Sequence, residues 1–94
     1  MQFAIAAFLK PGSEDELRKH SDDFNEHLGA SGANVVLAGA LRDGDGNRVG
    51  YLAFYDADEI TEAQEWVHES PIYKAQLYDR LEVYQYQVEV GRLG

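Results

Sequence analysis

The sequence contains no cysteine, only two prolines and one methionine, and few positive charges: eight lysines and arginines against 17 acids in 94 residues. Without cysteine there is no disulfide framework and no thiolate metal site, which fits a reducing cytoplasm. The formal net charge of −9 argues against a nucleic-acid binder, because phosphate neutralisation needs clustered Lys and Arg. The basic residues are instead scattered along the chain. No apolar run approaches the roughly 20 residues of a membrane span. The opening "MQFAIAAFL" is apolar, but it lacks a basic start and a small-residue cleavage site. Lys10-Pro11-Gly12 follows it, so it reads as a first strand and not as a signal peptide. The expectation is one small cytoplasmic domain with neither nucleic acid nor membrane as partner.

What is present is regular periodicity. Residues 2–9 set Phe3, Ile5, Ala7 and Leu9 against Ala4, Ala6 and Phe8, a strand that is apolar on both faces. Ser13-Glu14-Asp15-Glu16 has the form of a capping box. It predicts a helix over about 14–29, ending near Gly29 or Gly32. Residues 34–40 and 49–55 read as strands joined through "RDGDGN" into a hairpin. A second helix opens at Asp56 or Asp58, with Ile60, Ala63 and Val67 as its inner stripe. Ser70-Pro71 restarts a short helix with Ser70 as N-cap. The last strand runs over 81–90, and its alternation shifts near Val83-Tyr84.

The order β-α-β-β-α-β predicts an α+β, ferredoxin-like sandwich with a four-stranded antiparallel sheet. Two helices cover only one face of such a sheet, yet strands one to three are apolar on both. In the second, Val35 and Leu37 are set against Val36 and Ala38, and Ala6 and Ala53 of the first and third are expected to face outward. A bare apolar face of that size exceeds what monomers usually expose. The expected cover is a second copy of the chain, a homodimer.

Candidate chemistry is sparse. Asp43, Asp45 and Asn47 have the spacing of an EF-hand start, but Arg48 stands where that loop needs Gly and Phe54 where it needs Glu. The segment reads as a hairpin turn, and no metal is expected. On the first helix, Leu17, Phe24 and Leu28 define the apolar face. His20 lies roughly 50° off its centre and His27 roughly 70° at the helical angle per residue, both boundary positions. A boundary histidine is commonly a hydrogen-bonded structural residue, and His27 near the helix end also suits the dipole as a cation. His68 flanks the second helix toward solvent. The six tyrosines either line a small-molecule pocket or fill sheet faces and a subunit interface.

The run "AGALRDGDGNRVGYLAFYDADEITEAQEWVHESPIYKAQLYDRLEVYQY", with Arg18 and His20 on the preceding helix and Phe24 and Gly32 after them, resembles the YCII-related family of the dimeric α/β-barrel superfamily. The shared pattern is a "G-x-x-x-D-x-x-G" hairpin, an acidic helix start, a "(D)P-x-x-x-A-x-L-(Y/F)" turn and a final "E-V" strand. The resemblance implies a ferredoxin-like protomer, a dimer built sheet to sheet, and a cleft near the helix histidine. In the family that histidine pairs with an Asp preceding the Pro as a catalytic dyad. One member dehydrochlorinates a chlorinated hydroquinone. Carried over, His20 takes the histidine's place and Ser70 the aspartate's. Ser70 keeps the N-cap function but cannot hold a charge. Either Glu69 or another acid replaces it, or the family chemistry is lost.

Two functions stay open at this point. One is a small cofactorless enzyme of lyase or isomerase type. In it His20 is general acid or base on a small aromatic or hydroxylated substrate, with Ser70 beside it and Arg18, Phe24 and Tyr73 binding the substrate. The other is a non-catalytic dimer that binds a small molecule or another protein, with His20 as a wall residue. Fold alone does not choose between them.

Overall fold

A computed structural model of the chain describes residues 1–30 and 34–91. The elements run β1 (Gln2–Leu9), α1 (Glu14–Lys19), α2 (Ser21–Ala30), β2 (Val35–Arg42), β3 (Arg48–Asp56), α3 (Ile60–His68), α4 (Pro71–Lys74) and β4 (Tyr78–Tyr86). The four strands form one antiparallel sheet in the order β2-β3-β1-β4. This is the α+β, ferredoxin-like split βαβ that the sequence predicts.

Two clusters hold the helices to the sheet. Phe3 and Ile5 of β1 and Ala53 and Tyr55 of β3 pack against Ala63 and Val67 of α3. Phe24 of α2 meets Ile72 and Leu77, with Leu17, Leu28, Tyr51 and Tyr78 around them. Each fully buried side chain of this size contributes on the order of 1.5–3 kcal/mol. At Gly50 a Cβ would overlap the Ala7 carbonyl oxygen of the neighbouring strand, so only glycine fits where β1 and β3 draw together.

Among the described residues, no helix covers the opposite sheet face. Ala4, Ala6 and Phe8 of β1 and Leu52 of β3 are half-buried, while Leu37 of β2 is 48% exposed and Tyr84 of β4 62%. Tyr86 lies edge-on to Phe54 there, ring centres 5.0 Å apart. The faces differ from the sequence reading in two places. Ala53, expected on the outer face, is buried under α3. In β2 a register irregularity between Val35 and Leu37 lets Val35 and Ala38 share the helix side. An extra residue in a strand reverses every alternation beyond it.

Several local expectations give way to tertiary structure. The first helix is broken at His20, whose φ of −107° and ψ of 3° end α1. There the Ser21 hydroxyl donates to the Arg18 carbonyl at 2.8 Å, a back-bond that competes with the helical ladder. Ser13 makes no side-chain cap, because its backbone is not extended. Glu16, instead of reaching back to Ser13, accepts from Lys19 Nζ at 2.8 Å. Helix α3 begins after Glu59, with no side-chain cap, and not at Asp56 or Asp58. Asp56 instead accepts from the amino group of Met1 at 3.2 Å. Ile60, expected on the inner stripe, is exposed. The last strand starts at Tyr78 and ends at Tyr86, and its irregularity faces Phe8–Leu9, not Val83-Tyr84. Gly29 lies inside α2, and Gly32 lies outside the described residues.

Candidate active site

Ser70 is the best-formed element of the site. Its backbone is extended, its hydroxyl accepts from the Ile72 amide at 3.3 Å, and Pro71 fills the first helical position of α4. This turn drives Ser70 inward to 3% exposure. It lines a small cavity between the helices and the sheet, together with Phe24, Tyr51, Trp66, Val67 and Tyr78. The cavity measures about 20 Å³, room for a single water.

The cavity carries a small set of polar atoms on an aromatic frame. Tyr78 lies beside Ser70, and burial pushes its phenol up to about 12, the Ser70 hydroxyl opposing that shift. Burial also raises the Tyr51 phenol, partly offset by the Arg48 charge. Both phenols are therefore neutral donors at physiological pH. Phe24 meets Tyr51 edge-on at 4.6 Å between centres. The Trp66 Nε1–H is buried without an acceptor among the described residues.

Trp66 is sandwiched between His27 at 4.9 Å and Tyr55 at 5.1 Å, both stacked. The His27 Nε2 also lies 3.0 Å from the Trp66 carbonyl oxygen. Burial lowers the His27 pKa, with the Trp66 carbonyl opposing. His27 thus favours its neutral form, contrary to the dipole-stabilised cation that its place near the helix end suggested. His68 is exposed, but it stacks on Tyr73 at 4.5 Å and is not simply solvated.

The five residues singled out in the sequence fall in four places. Phe24 and Ser70 meet in the cavity. His20 sits half-buried at the α1–α2 break, one turn before Phe24, and does not line that cavity. Arg18 pairs with Asp15 at 3.1 Å and lines a groove with Arg42 and Arg48. Tyr73 lines a separate, open cleft with Lys10, Lys74 and Arg80. Tyr51, Trp66 and Tyr78 escaped sequence reasoning as individuals. Only the turn "SPIYKAQLY" hinted that Tyr78 follows the Ser70 cap closely. No group of three or more metal-ligating side chains occurs among the described residues. Asp43 instead accepts the Asp45 and Asn47 amides, each at 2.9 Å, which closes the hairpin and lowers its pKa.

A search of curated protein sequences finds no match. Among solved structures, the chain is similar to 5-chloro-2-hydroxyhydroquinone dehydrochlorinase from Burkholderia phenoliruptrix AC1100, in complex with 2,5-dihydroxybenzoquinone. The TM-score is 0.85 at 21% identity, covering 93% of this chain and 94% of that one. Rv0793 from Mycobacterium tuberculosis follows with a TM-score of 0.52 at 15% identity, covering 96% and 97%. The family model described as YCII-related domain matches residues 1–87.

Proposed function

The chain belongs to the YCII-related domain family, and we propose that it is a small, cofactor-free cytoplasmic enzyme of lyase or isomerase type acting on an aromatic substrate. The observation that carries this is the aromatic-lined cavity with Ser70 and Tyr78 side by side. Phenols, a hydroxyl and an indole N–H suit a flat, hydroxylated ring, which offers both donors and acceptors. The similar dehydrochlorinase acts on a molecule of that kind, which supports the same substrate class here.

The cavity as it stands has room for one water, so a ring enters only if α2 moves outward. Helix α2 is separated from α1 by the break at His20 and buries only Phe24 fully, with Leu28 and His27 half-buried against their neighbours. An element with few fully buried side chains is among those that open at lower cost. Such a shift carries His20 with the wall it adjoins. His20 then takes a proton from the substrate, and the electron pair left behind expels an anionic leaving group. The balance is loss of H–X with no oxidant required.

The same chain forms a homodimer in this reading, the outer sheet face meeting its two-fold mate. Its support is the exposure of Leu37, Tyr84 and Tyr86 beside half-buried Ala6 and Leu52.

Chloride release from 5-chloro-2-hydroxyhydroquinone is the test. The parent chain should release chloride, and His20→Asn should lower the rate by about a hundredfold or more, the usual worth of a general base. Its melting temperature should barely change, since His20 makes no side-chain hydrogen bond among the described residues. Release that is unaffected in His20→Asn removes His20 from the chemistry. A second reading, a non-catalytic binding protein, is favoured by one observation: Ser70 spends its hydroxyl on the Ile72 amide, and no carboxylate lines the cavity. Calorimetric binding of 2,5-dihydroxybenzoquinone with no chloride release would select it.

A further inference from the structure

Three of the chain's arginines, distant in sequence, meet in one groove. Arg18 comes from α1, Arg42 from the end of β2 and Arg48 from the start of β3, with Leu17, Asn47 and Glu14 completing the walls. The groove measures about 280 Å³ and shares no lining residue with the cavity at Ser70. In a chain of formal charge −9, three guanidinium groups around one hollow repel each other, and Glu14 is the sole acid on its walls. The arginines are not equally engaged. Arg42 donates to the Gly46 carbonyl at 2.9 Å, and Arg18 holds Asp15 in an exposed pair. Arg48 lies 5.1 Å from the Tyr51 ring centre, and its Nε is buried with no acceptor among the described residues.

The Arg48 side chain is engaged by the Tyr51 ring and hydroxyl, whereas Arg18 and Arg42 are exposed on the walls of the groove. Paired oxygen acceptors at the spacing of the guanidinium fork suit such a cluster, and phosphate and carboxylate both present them. We propose that this groove binds a small oxyanion-bearing ligand, a phosphate or a carboxylate, with Arg18 and Arg42 in direct contact and Arg48 completing the cluster. The inference is independent of the chemistry assigned to the Ser70 cavity. Because the net charge of the protein repels anions, recognition comes from local guanidinium geometry and not from long-range attraction.

The arginine Nε–Hε resonances in a nitrogen–proton correlation spectrum read this directly. Inorganic phosphate and, separately, succinate are titrated at constant ionic strength against sodium chloride. One of the two should move the Arg18 and Arg42 Nε–Hε signals saturably, and whichever saturates at lower concentration identifies the oxyanion class. Arg48→Gln should weaken the binding. Because Arg48 packs on Tyr51, it is paired with Arg42→Gln at an exposed position, which should weaken binding by about tenfold, the scale of one lost charge-assisted contact. A shift that chloride reproduces at equal ionic strength is screening alone and overturns the proposal. So does an Arg42→Gln titration that matches the parent, or the absence of saturation with both anions.

Discussion

His27 shows how a residue's surroundings reverse what its position suggests. Near a helix C-terminus an imidazolium is favoured. Here burial against Trp66 outweighs the dipole and lowers the pKa. A histidine held below its unfolded value of 6.5 binds fewer protons folded than unfolded. Stability is therefore complete above that value and is lost as pH falls through it toward the lowered folded pKa. The expected outcome is that the melting temperature of the parent chain falls more between neutral and mildly acidic pH than that of His27→Gln. Parallel melting curves across that window would show that the shift is absent. Ser70 teaches the opposite lesson. Its N-cap role was legible, because Ser-Pro at a helix start is a local signal with a local cause. The roles of Trp66 and Tyr78 were not legible, because they arise only when α3 is laid across the sheet that β4 joins at its edge.

At the scale of elements, the first three strands were readable, and the last strand and the helix ends were not. Alternation fixed β1, β2 and β3 to within a residue or two, since a half-buried strand states its period in every residue. Leu17, Phe24 and Leu28 keep one stripe on either side of His20, so the polar residue there read as a flaw in one continuous helix and not as the break between α1 and α2. That break depends on the Ser21 hydroxyl and the packing of Phe24, neither of which leaves a mark on a helical wheel. The hairpin between β2 and β3 was legible as a turn, and its structure accounts for why. Asp43 spends its carboxylate on the loop's own amides, and Gly46 takes a φ of +84°. With those oxygens committed, millimolar calcium should leave the melting temperature unchanged. A rise of many degrees in calcium would mean that the loop opens to chelate.

For the whole molecule, the decisive feature is the sheet face without helices. Ala6 sits at its middle, on β1 and opposite Leu52. If a second copy covers that face, Ala6→Asp buries a charge with nothing opposite it, which is costly enough to separate the subunits. Light scattering at micromolar concentration should report a dimer for the parent chain and a monomer or unfolded chain for Ala6→Asp. A monodisperse parent monomer would end the dimer reading. Ala53→Asp would not report on assembly, because that residue faces α3.

The strand order has a consequence at its margins. With β3 and β1 in the centre, β2 and β4 each leave one line of backbone donors and acceptors unpaired among the described residues. The β4 margin carries Asp79, Arg80 and Glu82, charges that repel a like strand laid beside it. The β2 margin, from Val35 to Leu41, carries none. Accretion of further chains, when the protein is crowded or partly opened, would therefore begin along β2 and extend the sheet in one direction only.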